Sequence, residues 1–279
     1  MSFCEKVAGY ITGSVKTSVH SISRRKLLRT VKRSLMDNLR REYVLRLMPD
    51  VENSFFMPIN EQVSLVCQQL INDSRFSNGI HMVGLSQGGL FVRALVQRCP
   101  FRRVGAVVSI GGPQRGIYGF PRCPEQHIPF SCSFLRAILN YLAYSDKVQG
   151  SLVQAQYWHD PTREELYKEK SLFLSDINQE KKVNDTYRKH MELVDALVLV
   201  KFQNDTIVVP RESTWFGFYK TNSTDHLYEL RESTLYSEDL LGLKKLDLSG
   251  KLHLLETPGE HLHFSLEWFK EKIVIPFLK

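Results

Sequence analysis

The run Gly84-Leu85-Ser86-Gln87-Gly88 constrains this chain more than any other five residues, because two different periodicities meet there. Ile80 to Gly84 is an apolar, β-like stretch, whereas Gly89 to Arg98 carries Leu90, Phe91, Ala94 and Leu95 at helical spacing. A strand that turns sharply into a helix at a serine lifts the hydroxyl clear of the backbone. Glycines two residues to either side leave room for that turn, and the N–H of the next residue, Gln87, starts an oxyanion hole. The bare G-x-S-x-G pattern arises by chance in a chain of 279 residues with odds on the order of one in ten. Its flanks are what make Ser86 a candidate nucleophile.

The rest of the chain supplies the sheet that such a turn needs. Val104 to Ile110 is a largely apolar strand ending in Gly111-Gly112, and further strands are expected at Leu197 to Phe202 and Leu252 to Glu256. A helix is expected over Asn60 to Leu70, with Val63, Val66, Cys67 and Leu70 on one face, and a last helix near Leu266 to Ile273. Continuous β-branched runs alternating with helices imply an α/β fold with a mostly parallel, buried sheet. Between two of the strands, residues 113–190 leave the pattern: they start rich in Pro, Cys and aromatics and then read as helices at Phe134 to Tyr144, Gly150 to Trp158 and Arg163 to Leu174. That excursion reads as a helical cap inserted in a domain spanning residues 43–279, whose first strand candidate is Tyr43 to Leu47.

The formal charge of +7 raises the question of a nucleic-acid partner until it is located. Residues 1–48 hold eleven Lys/Arg against three Asp/Glu, a net of +8; the other 231 residues hold 26 basic and 27 acidic groups, a net of −1. The near-neutral globular part disfavours a basic groove for phosphates, and no nucleic-acid partner is expected. Residues 1–42 form a separate basic segment, in which Leu28, Val31, Leu35 and Leu39 follow an amphipathic helical spacing that also fits an organellar transit peptide. No secretion signal is visible, and no run approaches the length of a transmembrane helix. Cys67, Cys99, Cys123 and Cys132 form an even set with Cys4 left over, and Asn72, Asn184, Asn204 and Asn222 begin N-x-S/T sequons. Composition alone leaves both a reduced and an oxidised, glycosylated environment open.

A nucleophilic serine needs a base and an acid that orients it, and on a sheet of this type they follow in the order Ser, Asp or Glu, His, on loops at the carboxyl ends of later strands. Asp205 follows the Leu197 to Phe202 strand, and His261 follows the Leu252 to Glu256 strand. Each alone is an ordinary loop residue; their order selects them. His263, two residues along, is the alternative base. His159 and Asp160 have no companions at metal-ligand spacing, so neither a metal nor another cofactor is expected.

At this point a resemblance is specific. Asp50-Val51-Glu52-Asn53-Ser54-Phe55-Phe56, Gly84 to Gly89, Gln97-Arg98-Cys99-Pro100, Gly119 to Pro124, Tyr157-Trp158-His159-Asp160-Pro161, Asp176 to Glu180 and Trp215-Phe216-Gly217-Phe218-Tyr219 resemble the lysosomal palmitoyl-protein thioesterases, a family of α/β-hydrolases, from about Tyr43 to the C-terminus. The resemblance implies a lysosomal glycoprotein that hydrolyses the thioester between a long-chain fatty acid and cysteine in S-acylated proteins or peptides. It implies Ser86 as nucleophile, Asp205 as acid, His261 as base and the Gln87 N–H as an oxyanion donor. It also implies disulfides Cys67–Cys99 and Cys123–Cys132 and glycans at Asn184 and Asn204. An acyl groove is expected along Phe134, Leu135, Ile138, Leu139 and Leu142, a pattern that core packing would also produce.

One departure stands against the agreement. Members of the family begin their sheet with an apolar strand running into a His-Gly-Met-Gly-Asp loop that supplies the second oxyanion donor, and residues 1–48 resemble neither. The resemblance therefore implies impaired turnover for this chain. Two other readings share the same residues: a lipid ester or acyl-CoA hydrolase with the same triad, and a non-catalytic variant of the family.

Overall fold

The strands expected from the apolar runs form one parallel sheet. The computed structural model describes the backbone of residues 15–17 and 20–22 together with residues 56–119 and 137–278. Two short strands, β1 (Val15–Thr17) and β2 (His20–Ile22), pair antiparallel with each other. The main sheet comprises β3 (Ile80–Leu85), β4 (Val104–Ile110), β5 (Ala196–Phe202) and β8 (Leu252–Thr257), in the order β3-β4-β5-β8 with every pairing parallel. A two-stranded antiparallel ribbon, β6 (Phe218–Tyr219) and β7 (Leu227–Tyr228), stands apart from it.

The two middle strands explain why their sequences lack polar alternation. Every residue of β4 is buried, and in β5 only Lys201 is not fully so. Side chains still alternate between two apolar layers. Ala106, Val108, Val198 and Val200 face the C-terminal helical segment, packing with Phe269, Ile273 and Val274. Val107, Leu197 and Leu199 join the opposite core with helix α1 (Ile59–Asn72) and helix α2 (Gln87–Arg98), through Val63, Leu70, Leu90 and Leu95. The Cys67–Cys99 disulfide ties α1 to the residue that ends α2. An irregularity in β3 has a visible cause: the His81 ring accepts the Ala106 N–H at Nδ1, 3.0 Å away, and occupies the space left by Gly105, where a Cβ would lie 2.5 Å from the ring.

Between β4 and β5 the described helices are shorter than their sequence patterns suggest. The stretch expected as a helix over Gly150 to Trp158 is helical only over Val153–Gln156. Tyr157, Trp158 and His159 instead pair with the loop after β4, through Ile117 N–H to the Tyr157 carbonyl (3.1 Å) and His159 N–H to the Ile117 carbonyl (2.9 Å). The stretch expected over Arg163 to Leu174 divides into Glu164–Lys170 and Leu174–Ile177, because the Gln149 side chain takes the Leu172 N–H at 2.9 Å and so replaces a helical bond. Of the residues expected to line an acyl groove, Leu139 packs into the core while Leu142 is half exposed. Phe134 and Leu135, the strand candidate Tyr43 to Leu47, the amphipathic stretch from Arg24 to Leu39 and the Cys123–Cys132 pair lie outside the described residues.

Candidate active site

Register brings the carboxyl ends of the four strands together. Leu85 pairs with Ile110, Ile110 with Val200, and Phe202 with Thr257. Ser86 extends this ladder by one residue, its N–H bonded to the Ile110 carbonyl (2.8 Å), and then breaks from it with φ 54° and ψ −125°. The next residue, Gln87, begins α2, where backbone N–H groups project from the helix start.

The glycines around the elbow have unequal jobs. A Cβ on Gly84 would lie 2.1 Å from the Gly88 carbonyl oxygen and 2.6 Å from the Gly89 nitrogen, so the strand and the helix can approach only at a glycine. At Gly89 a Cβ would lie 2.0 Å from Ser109 Oγ and 3.0 Å from the Gly112 Cα. Beyond its chain neighbours and the backbone of its own helix, no described atom lies within 4 Å of the Cβ position of Gly88. The room that the sequence pattern assigns to Gly84 and Gly88 is thus needed at Gly84 and Gly89.

Asp205 and His261 reach Ser86 from the two neighbouring loops. The loops are joined to each other by main-chain bonds, Gln203 N–H to the Thr257 carbonyl and Asn204 N–H to the Gly259 carbonyl, both 3.0 Å. Asp205 is held from below: its Oδ1 accepts the N–H groups of Ile207 and Val208, each at 2.9 Å. Its Oδ2 lies 2.6 Å from His261 Nδ1, and His261 Nε2 lies 2.9 Å from Ser86 Oγ. A carboxylate only accepts, so Nδ1 carries the proton and Nε2 is left to accept from the serine hydroxyl. All three residues are at most 9% exposed. His263 has its N–H on the Glu260 carbonyl and makes no hydrogen bond to Ser86 among the described contacts.

Gly111 is a member of the site that motif reading passed over. It has φ +63°, and a Cβ there would sit 3.0 Å from His261 Cε1 and 3.2 Å from Phe202. The imidazole therefore rests on bare backbone. The signal in the sequence is the Gly111-Gly112 pair, which marks the end of a strand and does not by itself point to a histidine ring.

Behind the elbow lies a buried polar scaffold. Arg93, on α2, is 1% exposed and donates to Gln114 Oε1 (2.7 Å), the Gln114 carbonyl (3.0 Å), the Ile177 carbonyl (2.9 Å) and Asn178 Oδ1 (2.8 Å). Burial pushes its guanidinium down to about 9, still protonated at neutral pH. Arg115 is paired with Glu180 at 2.6 Å; burial alone would lower it, but the Glu180 charge holds it above its ordinary value. His159 stacks between Tyr167 and Phe218, with its Nε2 2.8 Å from Glu164. Burial raises the Glu164 carboxyl, yet the His159 hydrogen bond and charge outweigh that and leave it below the ordinary carboxylate range. Together these residues bind the loop after β4 to the helices of residues 153–178. Among the described residues no cluster of three or more His, Cys, Asp or Glu could hold a metal, and no helix is long and apolar enough to cross a membrane.

The model of the family described as palmitoyl protein thioesterase matches residues 14–261. Palmitoyl-protein thioesterase 1 of Caenorhabditis elegans is 44% identical over 213 residues, covering 76% of this chain and 71% of that protein. Palmitoyl-protein thioesterase 3 of Dictyostelium discoideum is 37% identical over 216 residues, covering 77% and 72%. Lysosomal thioesterase PPT2 of Homo sapiens is 36% identical over 176 residues, covering 62% and 56%.

Proposed function

The chain belongs to the palmitoyl protein thioesterase family, and we propose that it hydrolyses the thioester between a long-chain fatty acid and a cysteine of S-acylated proteins or peptides, with Ser86 as nucleophile. The observation that supports this most directly is the continuous line of hydrogen bonds from Ser86 Oγ through His261 to Asp205. In the first half-reaction His261 Nε2 takes the Ser86 proton as Oγ bonds to the thioester carbonyl carbon. The resulting oxyanion, stabilised by the Gln87 N–H, collapses as the C–S bond breaks, and the sulfur takes the proton from His261. In the second half-reaction His261 takes a proton from a water that attacks the acyl carbon; the bond between that carbon and Ser86 Oγ then breaks, Oγ takes the proton back from His261, and the fatty acid leaves. Asp205 holds the imidazole in the accepting tautomer before each proton transfer and stabilises the imidazolium that forms in between.

A thiolate leaves more easily than an alkoxide, so protonation of the leaving group matters less here than in ester hydrolysis. Residues 43–279 are read as the catalytic domain, with 113–190 as its cap. The protein is read as a lysosomal glycoprotein that has passed through the secretory pathway, with disulfides at Cys67–Cys99 and Cys123–Cys132 and glycans at Asn184 and Asn204. Relatives named as lysosomal thioesterases, the Cys67–Cys99 disulfide and the exposure of Asn184 and Asn204 support that reading.

The test pairs a fluorophosphonate probe with matched peptides carrying S-palmitoyl or O-palmitoyl groups. Labelling of the folded chain that disappears in Ser86→Ala, with faster turnover of the S-linked peptide, is expected. Labelling without thioester turnover would point to a lipid ester or acyl-CoA hydrolase, and folded protein that takes no label would point to a non-catalytic variant.

A further inference from the structure

Two sequons, at Asn72 and Asn222, have no role in the reading above, and Asn222 has the more telling surroundings. It lies in the loop between β6 and β7, which is closed by the Lys220 N–H to the His226 carbonyl at 2.8 Å. Within that loop the backbone is already satisfied: Asn222 N–H donates to the Pro161 carbonyl (2.8 Å) and Ser223 N–H to the Lys220 carbonyl (2.9 Å). The middle residue of the sequon turns its side chain inward, with Ser223 Oγ donating to Asp225 (2.7 Å) and accepting the His226 N–H (3.0 Å). Asn222, at φ +61°, and Thr224 are both exposed, and neither side chain makes a hydrogen bond among the described residues. An anchored turn whose sequon amide and hydroxyl both face solvent can carry a large hydrophilic group without disturbing any packed atom. Asn72, by contrast, is the last residue of α1 and lies on a helix rather than in a turn.

We propose that Asn222 is a third N-glycosylation site of this protein, beside Asn184 and Asn204; the proposal rests on the secretory-pathway reading above. In the transfer, Asn222 Nδ2 exchanges one hydrogen for a bond to the anomeric carbon of an oligosaccharide carried on a lipid pyrophosphate. The bond between that carbon and the pyrophosphate oxygen breaks, the oxygen keeps the electron pair, and the proton from the amide goes to the leaving phosphate or solvent. The glycan then covers the turn that packs on Pro161, at the edge of the His159–Glu164 cluster.

Trypsin separates the relevant sequons. Cleavage after Lys220 and Arg231 yields a peptide of residues 221–231, whereas Asn184 falls in 183–188 and Asn204 in 202–211. The full chain recovered from the cells that make it is treated with peptide N-glycosidase in heavy-oxygen water, which marks each formerly glycosylated asparagine as labelled aspartate. Labelled aspartate at position 222, together with one fewer glycan on gels for Asn222→Gln and no loss of activity, is expected. An unlabelled 221–231 peptide overturns the proposal. If 183–188 and 202–211 are labelled in that sample, the chain entered the secretory pathway and only the assignment of Asn222 is wrong. If all three are bare, the secretory reading itself has failed.

Discussion

Replacing Asp205 with Asn tests the orienting role of the acid without changing the volume of the site. In the native structure Oδ1 accepts two main-chain N–H groups at 2.9 Å and Oδ2 accepts the His261 Nδ1–H at 2.6 Å. An asparagine has one acceptor oxygen to share between these two sides. Turning its NH2 toward Ile207 and Val208 would strand a buried donor at Val208, at about 1–3 kcal/mol, and a half-buried one at Ile207, whereas turning it toward His261 strands none if the imidazole changes tautomer. The second arrangement wins. It places the proton on Nε2, which then cannot accept from Ser86 at 2.9 Å. A wrong tautomer at the same position in another serine enzyme costs about 10⁴ in kcat, or about 5.5 kcal/mol in the barrier. We expect Asp205→Asn to lower kcat on an S-palmitoyl peptide by about that factor, with KM and melting temperature nearly unchanged. A fall of less than about tenfold in kcat would show that the Asp205 carboxylate does not set the His261 tautomer.

Gly89→Ala, whose Cβ meets Ser109 and Gly112, is expected to destabilise the fold by about 1–3 kcal/mol, whereas Gly88→Ala leaves urea stability unchanged or slightly raised; equal losses would refute the assignment of crowding to Gly89. The lowered Glu164 carboxyl contributes stability that is present above about pH 4.3, its ordinary value, and is lost as pH falls through its lower folded value. The melting-temperature gap between the wild type and Glu164→Gln should therefore close below about pH 4, and a gap constant from neutral to acid pH would contradict it.

The sheet is legible in the sequence because β4 and β5 are buried on both faces, so nearly every residue in them is apolar. The meeting of Ser86, Asp205 and His261 is legible because chain order and strand ends restrict them and the Gly259 turn favours His261 over His263. The fold adds Gly111 as the surface on which the ring of His261 rests. The helices before β5 are less legible. Their ends depend on side chains distant in sequence, such as Gln149 taking the Leu172 N–H and Ile117 pairing with Trp158. Arg93 is illegible for a related reason: on a helical wheel it is a polar interruption of α2, and its acceptors come from residues 114, 177 and 178.

The backbone of Ser86 carries a cost of its own. A φ of 54° with ψ −125° suits glycine and strains any residue with a side chain, by about 1–3 kcal/mol. Ser86→Ala keeps that strain and removes only the hydroxyl, but Ser86→Gly releases it. The glycine variant should therefore melt at a higher temperature than either the alanine variant or the wild type, while being as inactive as the former. A higher melting temperature for the glycine variant would mean that selection for stability alone removes the serine at this turn. Its presence in a conformation it does not favour is a thermodynamic argument, independent of any motif, that the hydroxyl is used.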